Sequence, residues 1–569
     1  MRALWWALAL VLLVPRLSTA TTYYVSQTAE NGYVVGNNGN NGTSKATPRL
    51  TIESAYGTAV NGDTIIINPG LYIHASNFDA GATKGLTVAC ELTIGCNLRA
   101  TSGNQVWTVQ TPAAGAMVFL DITFDAQNAR LRCVTITNNV AISTNTFTHV
   151  TCLDPVDTGI VDNKNHNTLT ITNAVLAASA MSGSNTIGGL YSGVIHQTGN
   201  VLVDGVTVAA TQSAAIARPL VYLVRDAGST AISVRVANLT GTLVSTAPGV
   251  GTGWYGAQIS NIDDAVIERL SLNFVGVRTA VGAQIRSTSG TLTAHRGIIR
   301  YNVFVMDGIT EAYCGLLGES TSTAGNNQAN NGQMYLNECT FTATPGSQTP
   351  HGFVAGVVTD PLVYANKVTN AYVGTLASRT TRGIFSGNLC VDCYGLIFYA
   401  KGATDTIITN NTATQKNSKA QGACLGLNPH ADATNNTGIL YRNNICSSVG
   451  DAAARWVLVA ASQAGTFDRN DYYTDQALNS DQWRYQGTPD ATLNGWNARA
   501  QVGTEVQLNP MFLSPSDFRL DPSSGLRRGG IWATNGCKDA RGRPCFMPPD
   551  IGAYQSSSGD PALTRQVRQ

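Results

Sequence analysis

Between Leu362 and Tyr473 an apolar, β-branched run reaches an asparagine and then resumes, four times over. The copies are Val363-Tyr364-Ala365-Asn366-Lys367-Val368, Ile384-Phe385-Ser386-Gly387-Asn388-Leu389-Cys390, Ile407-Ile408-Thr409-Asn410-Asn411-Thr412 and Leu440-Tyr441-Arg442-Asn443-Asn444-Ile445-Cys446. A weaker fifth stands at Phe467-Asp468-Arg469-Asn470-Asp471-Tyr472. The aligned asparagines 366, 388, 411, 444 and 470 are 22, 23, 33 and 26 residues apart, spacings at which a recurring unit stacks on its neighbours because it cannot bury a core alone. Val, Ile, Tyr and Phe make the units strands, and Asn is the non-glycine residue that best tolerates the left-handed backbone of a tight corner. Stacked corners let one Asn amide bond to the next. The longer interval before Asn444 reads as a loop inserted into one coil.

The fold expected is all-β: a single-stranded parallel β-helix. These asparagine-cornered coils resemble those of right-handed parallel β-helix proteins of the pectate-lyase-like superfamily, which includes exported polysaccharide-lyase-like proteins and whose fold phage tail-spikes share. A fold of this kind does not by itself name an activity.

The chain of 569 residues is long enough for several ordinary domains, but a solenoid uses such a length as one unit. Charged residues are only 12% and 57 residues are Gly, which suits short strands joined by polar corners. A formal net charge of +1 removes the usual argument for nucleic acid or an anionic membrane as partner. Met1-Arg2, the apolar run Leu4 to Val14 and the small residues Ser18-Thr19-Ala20 have the form of a secretory signal, too short for a stable membrane span. The expected location is therefore secreted, periplasmic or extracellular, or else the virion if the protein is a spike. Twelve cysteines in an exported chain permit disulfides, with Cys90/Cys96 and Cys537/Cys545 as the local pairs. Cys393 and Cys424 each precede a glycine by two residues in strands read as equivalent, which predicts a stacked ladder of buried thiols. Cys390-x-x-Cys393 has no second pair at metal-ligand spacing.

The order of segments extends the resemblance. Thr22-Tyr23-Tyr24-Val25, a Gly/Asn-rich loop, Glu53-Ser54-Ala55-Tyr56, Asn61-Gly62-Asp63 and Pro69-Gly70-Leu71-Tyr72 look like the opening of exported β-helix proteins, in which a short helix covers the exposed end of the coil. The tail, with Asn494-Gly495-Trp496 and Asp550-Ile551-Gly552-Ala553-Tyr554, is similar to the terminal segment that closes the last coil in such proteins. The divisions expected are a signal at 1–20, an N-terminal strand, loop and cap at 21–85, the parallel β-helix at 86–481, a closing segment at 482–555 and a disordered tail at 556–569. Coil boundaries between 86 and 310 are not legible.

No Ser-His-Asp, Walker, Rossmann or HExxH spacing is present to decide the chemistry. From Gly315 onward, however, short glycine-bearing strands end on a polar or charged residue, and if they are one strand of successive coils then Glu319, Asp360, Arg379, Lys401 and His430 line one edge. The resemblance implies action on an acidic polysaccharide. A lyase of that kind needs a base to take the proton beside a carboxylate and a cation to hold that carboxylate. Lys401 as base, Arg379 as clamp and His430 as auxiliary acid fill those roles, with Asp360 in the catalytic set. Asp360, Asp392 and Asp405 form the other option, a hydrolase carboxylate pair or Ca²⁺ ligands, with Asp392 and Asp405 as the metal residues. Glu319, Tyr399, Asp432 and Tyr441 are the expected substrate contacts, and Trp456 is a further aromatic candidate. Against all of these stands the structural reading, since any β-helix carries polar corners and core aromatics. The functional readings are an exported polysaccharide-binding, lyase-like protein, monomeric; a homotrimeric tail-spike gripping host glycans; or an adhesin without an active site.

Overall fold

The computed structural model describes residues 20–555, apart from 76–77, 80–83, 94, 110–114, 138–143, 163–167, 183–189, 196–198, 214–216, 226–231, 247–252, 277–278, 289–293, 309–310, 319–328, 343–349, 416–421, 431–433, 451–454, 478–480, 500, 532–536 and 546–548. The expected leader, all but Ala20, and the expected tail 556–569 lie outside the described residues, as do Glu319 and Asp432.

Strands follow one another around three faces. Sheet one holds 16 strands, from Thr22–Val25 to Gly465–Asp468; sheet two holds 15, from Gly70–His74 to Asp471–Thr474. Sheet three also holds 16, from Phe78–Asp79 to Trp483–Tyr485 and a last antiparallel strand Thr488–Asp490. From Thr64–Ile67 to Val457–Val459 each strand pairs in parallel with the strand three places on, so every third strand returns to the same sheet one rung higher. This is a parallel β-helix, right-handed as parallel crossover connections are.

Alternate residues point inward, and register stacks like on like. Val363, Phe385, Ile408, Tyr441 and Phe467 form one inward column of sheet one, with the Tyr441 and Phe467 rings stacked at 5.1 Å. Both ends of this core need a lid. At the N-terminal end helix α1 (Ile52–Thr58) buries Ile52, Ala55 and Tyr56, and its N-cap Thr51 accepts from the Ser54 N–H. At the other end helix α2 (Leu493–Asn497) sets Trp496 edge-on against Phe467 at 5.3 Å. The Asp550–Tyr554 segment does not take part in that closure. It runs back outside the coil, where the Asp550 and Ile531 carbonyls accept from Asn410 and Asn443 and the Ala553 N–H donates to Thr412 Oγ1.

The asparagine column exists and is longer than the repeat showed. Side chains of Asn302, Asn337, Asn366, Asn388, Asn411, Asn444 and Asn470 pass Nδ2–H to Oδ1 from rung to rung at 2.8 to 3.0 Å, and the column ends on Glu505. The reason for Asn differs from the one expected. The left-handed corner residue is the one before each ladder Asn: Tyr301, Leu336, Ala365, Gly387, Asn410, Asn443 and Arg469 all have φ between 53° and 63°. The ladder residue is there for its amide, which saturates a buried N–H and a buried carbonyl of the preceding coil and donates to the next amide of the column.

All twelve cysteines are paired: Cys90–Cys96, Cys133–Cys152, Cys314–Cys339, Cys390–Cys393, Cys424–Cys446 and Cys537–Cys545. The thiol ladder of Cys393 and Cys424 is therefore wrong. Cys393 belongs to sheet two, at a register shift that turns it back onto Cys390, whereas Cys424 belongs to sheet three and reaches across to Cys446 in sheet two.

Candidate functional site

The outer face of sheet three differs from an ordinary solvent face. Reading outward-facing positions in register, one row runs Tyr313, His351, Val373, and a parallel row runs Leu316, Val354, Leu376, Tyr399, Gly426, Leu458, Arg484. Leu316, Val354, Tyr372, Val373, Leu376, Tyr394, Leu396, Tyr399 and Ala423 form a hydrophobic cluster separate from the coil interior. A solvated face would not carry such a row, because apolar side chains gain nothing by pointing at water.

On this floor lies a cleft of about 480 Å³, lined by His351, Tyr372, Val373, Leu396, Tyr399, Lys401, Asn428, Arg455, Leu458 and Arg484. It crosses the six strands from Pro350–Gly356 to Trp483–Tyr485, about 24 Å along the coil axis at ~4.8 Å per rung. Gly426 shapes its middle. A Cβ there would stand 3.3 Å from Tyr399 Cδ2 and 3.1 Å from Leu396 Cδ2, so the bare glycine lets the Tyr399 ring lie across the next strand. Burial pushes the Tyr399 hydroxyl up to about 12, with a hydrogen bond involving Asn428 pulling the other way. His351 stacks on Tyr313 with ring centroids 5.0 Å apart.

The charged residues that line the cleft, Lys401, Arg455 and Arg484, are all basic. Lys401, in register with Asn428 on one side and Ser378 on the other, is half-buried and has no ion-pair partner among the described residues. At the far end Asp481 bridges two guanidiniums. Its Oδ1 accepts from Arg484 Nε at 2.7 Å, and its Oδ2 accepts from Arg484 Nη2 at 2.7 Å and Arg455 Nη2 at 2.5 Å. Burial pushes the Asp481 carboxyl up, but hydrogen bonds from Arg484 and Arg455 outweigh it and hold the group below its ordinary value. The trio keeps a net positive charge.

The residues expected from sequence are distributed as follows. Lys401 and Tyr399 line the cleft. The supposed single column does not form, because Lys401 is in register with Gly356, Ser378 and Asn428, while Asp360, Arg379 and His430 lie past the ends of their strands. Arg379 is one residue beyond, at a left-handed corner, with its N–H donating to the Lys401 carbonyl at 2.9 Å. Asp360 is a left-handed corner residue clamped in two-pronged fashion by Arg382 at 2.8 and 2.7 Å. His430 is buried beyond its strand, its N–H donating to the Thr434 carbonyl and its Cβ packed against Gly402. Asp392, in sheet two, and Asp405, at the corner before sheet one, occupy different corners and form no common ligand set. Among the described residues no cluster of three or more His, Cys, Asp or Glu could hold a metal ion.

Tyr441 corrects the expectation most directly. It is fully buried inside the coil, where its hydroxyl donates to the Gly426 carbonyl at 2.6 Å, so it cannot touch a ligand on the surface. Trp456 is likewise buried. Arg455, Arg484 and His351 were not found in the sequence. The Trp483-Arg484-Tyr485 alternation, with both aromatics buried and the arginine outward, is the signal that could have placed Arg484.

No family model matches the sequence, and no curated protein matches it. Among solved structures the chain is similar to pectate lyase Pel9A, with 14% identity over 95% of this chain and 98% of that one and a TM-score of 0.25. It is also similar to the Dettilon tailspike protein gp208, with 11% identity over 81% of this chain and 64% of that one and a TM-score of 0.26. A third is the GH136 lacto-N-biosidase from Eubacterium ramulus, with 11% identity over 80% and 64% and a TM-score of 0.25. The chain thus spans under two thirds of the length of the tailspike and the lacto-N-biosidase. The fold stands on the sheet topology itself. Among the described residues no helix is long and apolar enough to cross a membrane.

Proposed function

We propose that this β-helix binds an acidic polysaccharide lengthwise in the cleft of sheet three and cleaves it by β-elimination. The observation that carries the reading is the cleft's composition: an apolar and aromatic floor for sugar rings, with Lys401 along it and, at its end, Arg455 and Arg484, two guanidinium cations sharing the single carboxylate of Asp481. Cations aimed at a partly desolvated groove favour a polyanion over a neutral chain. Tyr399 and Tyr372, though only 8% and 5% exposed, line the cleft and give it an aromatic wall against which a pyranose ring can pack.

In this reading the unprotonated Lys401 amine takes the proton beside a uronate carboxylate. The released electron pair closes a carbon–carbon double bond as the glycosidic bond breaks, the departing oxygen takes a proton from water, and Asn428, in register with Lys401, offers its amide to the carboxylate. Arg379, one corner away, is not among the cleft residues, so the clamp role expected for it passes to groups of the cleft. The paired cysteines support export to an oxidising compartment.

The test is incubation with a panel of uronic-acid polymers, following the ultraviolet absorbance of the unsaturated product. Lys401→Ala abolishes product while retaining retention of polymer on an affinity gel. Polymer binding with no product from the unaltered protein leaves a glycan-binding surface protein and removes the elimination step. Equal affinity for neutral and acidic polymers refutes the reading.

A further inference from the structure

The trio Arg455–Asp481–Arg484 does more than line the cleft, and its position relative to Lys401 is the informative quantity. Lys401 lies on the strand Leu396–Lys401 and Arg484 on Trp483–Tyr485, three rungs further along sheet three. At ~4.8 Å per rung this separates them by about 14 Å along the axis, too far for both to touch one sugar carboxylate. Arg455 lies two residues before the strand Val457–Val459, one rung short of Arg484, and the shared Asp481 holds their guanidinium planes in place through four hydrogen bonds counting the Asp481 carbonyl, which accepts from Arg455 Nε at 3.2 Å. Neither Nη1 group has a partner among the described residues, so each guanidinium keeps donors for something else. Arg455 is nearly buried, with 14% of its side chain exposed, whereas 38% of Arg484 is open. A pair of preorganised guanidiniums with unspent donors is suited to a planar carboxylate.

We infer that Arg455 and Arg484, braced by Asp481, form a distal subsite that takes a second uronate carboxylate several sugars away from the one at Lys401. The inference rests on the proposed acidic-glycan reading and adds a length requirement to it. Short oligomers engage only one of the two positions. An oligomer long enough to span both gains a second anchored carboxylate, and because the two are tethered the second contact forms at high effective concentration. The subsite therefore selects chains with successive acidic sugars over chains in which acidic sugars are isolated.

The experiment titrates the full-length protein with uronic-acid oligomers of defined length, from two units upward, by calorimetry, in unaltered, Arg484→Ala, Arg484→Lys and Lys401→Ala forms. Each form's folding is checked by its thermal midpoint. The readout is the ratio of long-oligomer to short-oligomer affinity within each form. The unaltered protein shows a step of about tenfold or more between oligomers too short and long enough to cover three rungs, the scale of one charge-assisted contact. Arg484→Ala removes the step, and Arg484→Lys, which keeps charge but loses the fork, restores only part of it. Affinity rising smoothly with length, or a step that survives in Arg484→Ala, overturns the subsite while leaving acidic-glycan binding intact. Absence of any binding by the unaltered protein, at every length, overturns both.

Discussion

Replacing Asn411 by Ala isolates what the amide column contributes to this fold. Asn411 Oδ1 accepts the backbone N–H of Asn388 at 2.8 Å and its Nδ2–H at 3.0 Å; in turn Asn411 Nδ2 donates to the Phe385 carbonyl at 3.1 Å and to Asn444 Oδ1 at 2.9 Å. Asn388, Asn411 and Asn444 are all at most 1% exposed, so water does not replace the lost partners. Asn444 Oδ1 keeps the Asn411 backbone N–H at 3.0 Å. The Asn388 N–H, one Asn388 amide hydrogen and the Phe385 carbonyl do not keep theirs. Three buried polar groups orphaned at ~1–3 kcal/mol each, with relaxation recovering a part, put the cost at about 3–6 kcal/mol. Asn61→Ala is the control, since Asn61 is exposed and its Oδ1 accepts, among the described residues, only the Gly85 N–H, a loss of about 1 kcal/mol. Solenoids can open locally, so a denaturation midpoint is paired with hydrogen exchange at the Asn388 amide. That amide exchanges on the order of a hundredfold faster or more in Asn411→Ala. A variant that loses no more stability than Asn61→Ala, with Asn388 still protected, would falsify the idea that the column is a saturated network.

Three further outcomes follow from the same structure. The Glu505 carboxyl that ends the column is pushed by burial from 4.5 to about 8, so between those values the unfolded chain ionises first and stability falls as pH rises, by up to about 5 kcal/mol. Glu505→Gln flattens the midpoint measured across this range, and an unchanged slope counts against a buried neutral carboxyl. Tyr441→Phe loses the bonds to the Gly426 and Phe398 carbonyls, costs about 1 kcal/mol, and leaves glycan affinity untouched; weakened binding without loss of fold would return Tyr441 to the surface role denied it here. Asp360→Asn breaks the exposed pair with Arg382 and moves neither the unfolding midpoint nor product formation, whereas loss of product would restore Asp360 to the reaction.

How much of this was legible varies along the chain for a physical reason. From Asn302 onward the corner carries an amide in every coil, and polar letters recurring among apolar ones stand out. In the earlier coils the position after the left-handed residue is Ile122, Val150, Ala174, Val206, Leu239 and Leu270, all buried. An apolar residue at that corner looks like the strands on either side of it, so the coil boundaries vanish from the sequence although the geometry is the same.

The site divides along a similar line. Composition and the asparagine period decide the architecture, because a unit of that length can bury its apolar face only by stacking. Lys401 and Tyr399 were visible as strand residues near a repeating glycine. Whether a charge near a strand end faces a cleft or folds into a corner depends on a shift of one residue in register, and no local pattern reports it: Arg379 and Lys401 look equivalent in sequence and differ by that one residue in the coil. The cleft itself gathers side chains from six rungs, and the pairing of Arg455 with Arg484 through Asp481 joins residues that only winding brings together. Local order, then, is written in the chain, whereas adjacency across coils is a property of the wound molecule.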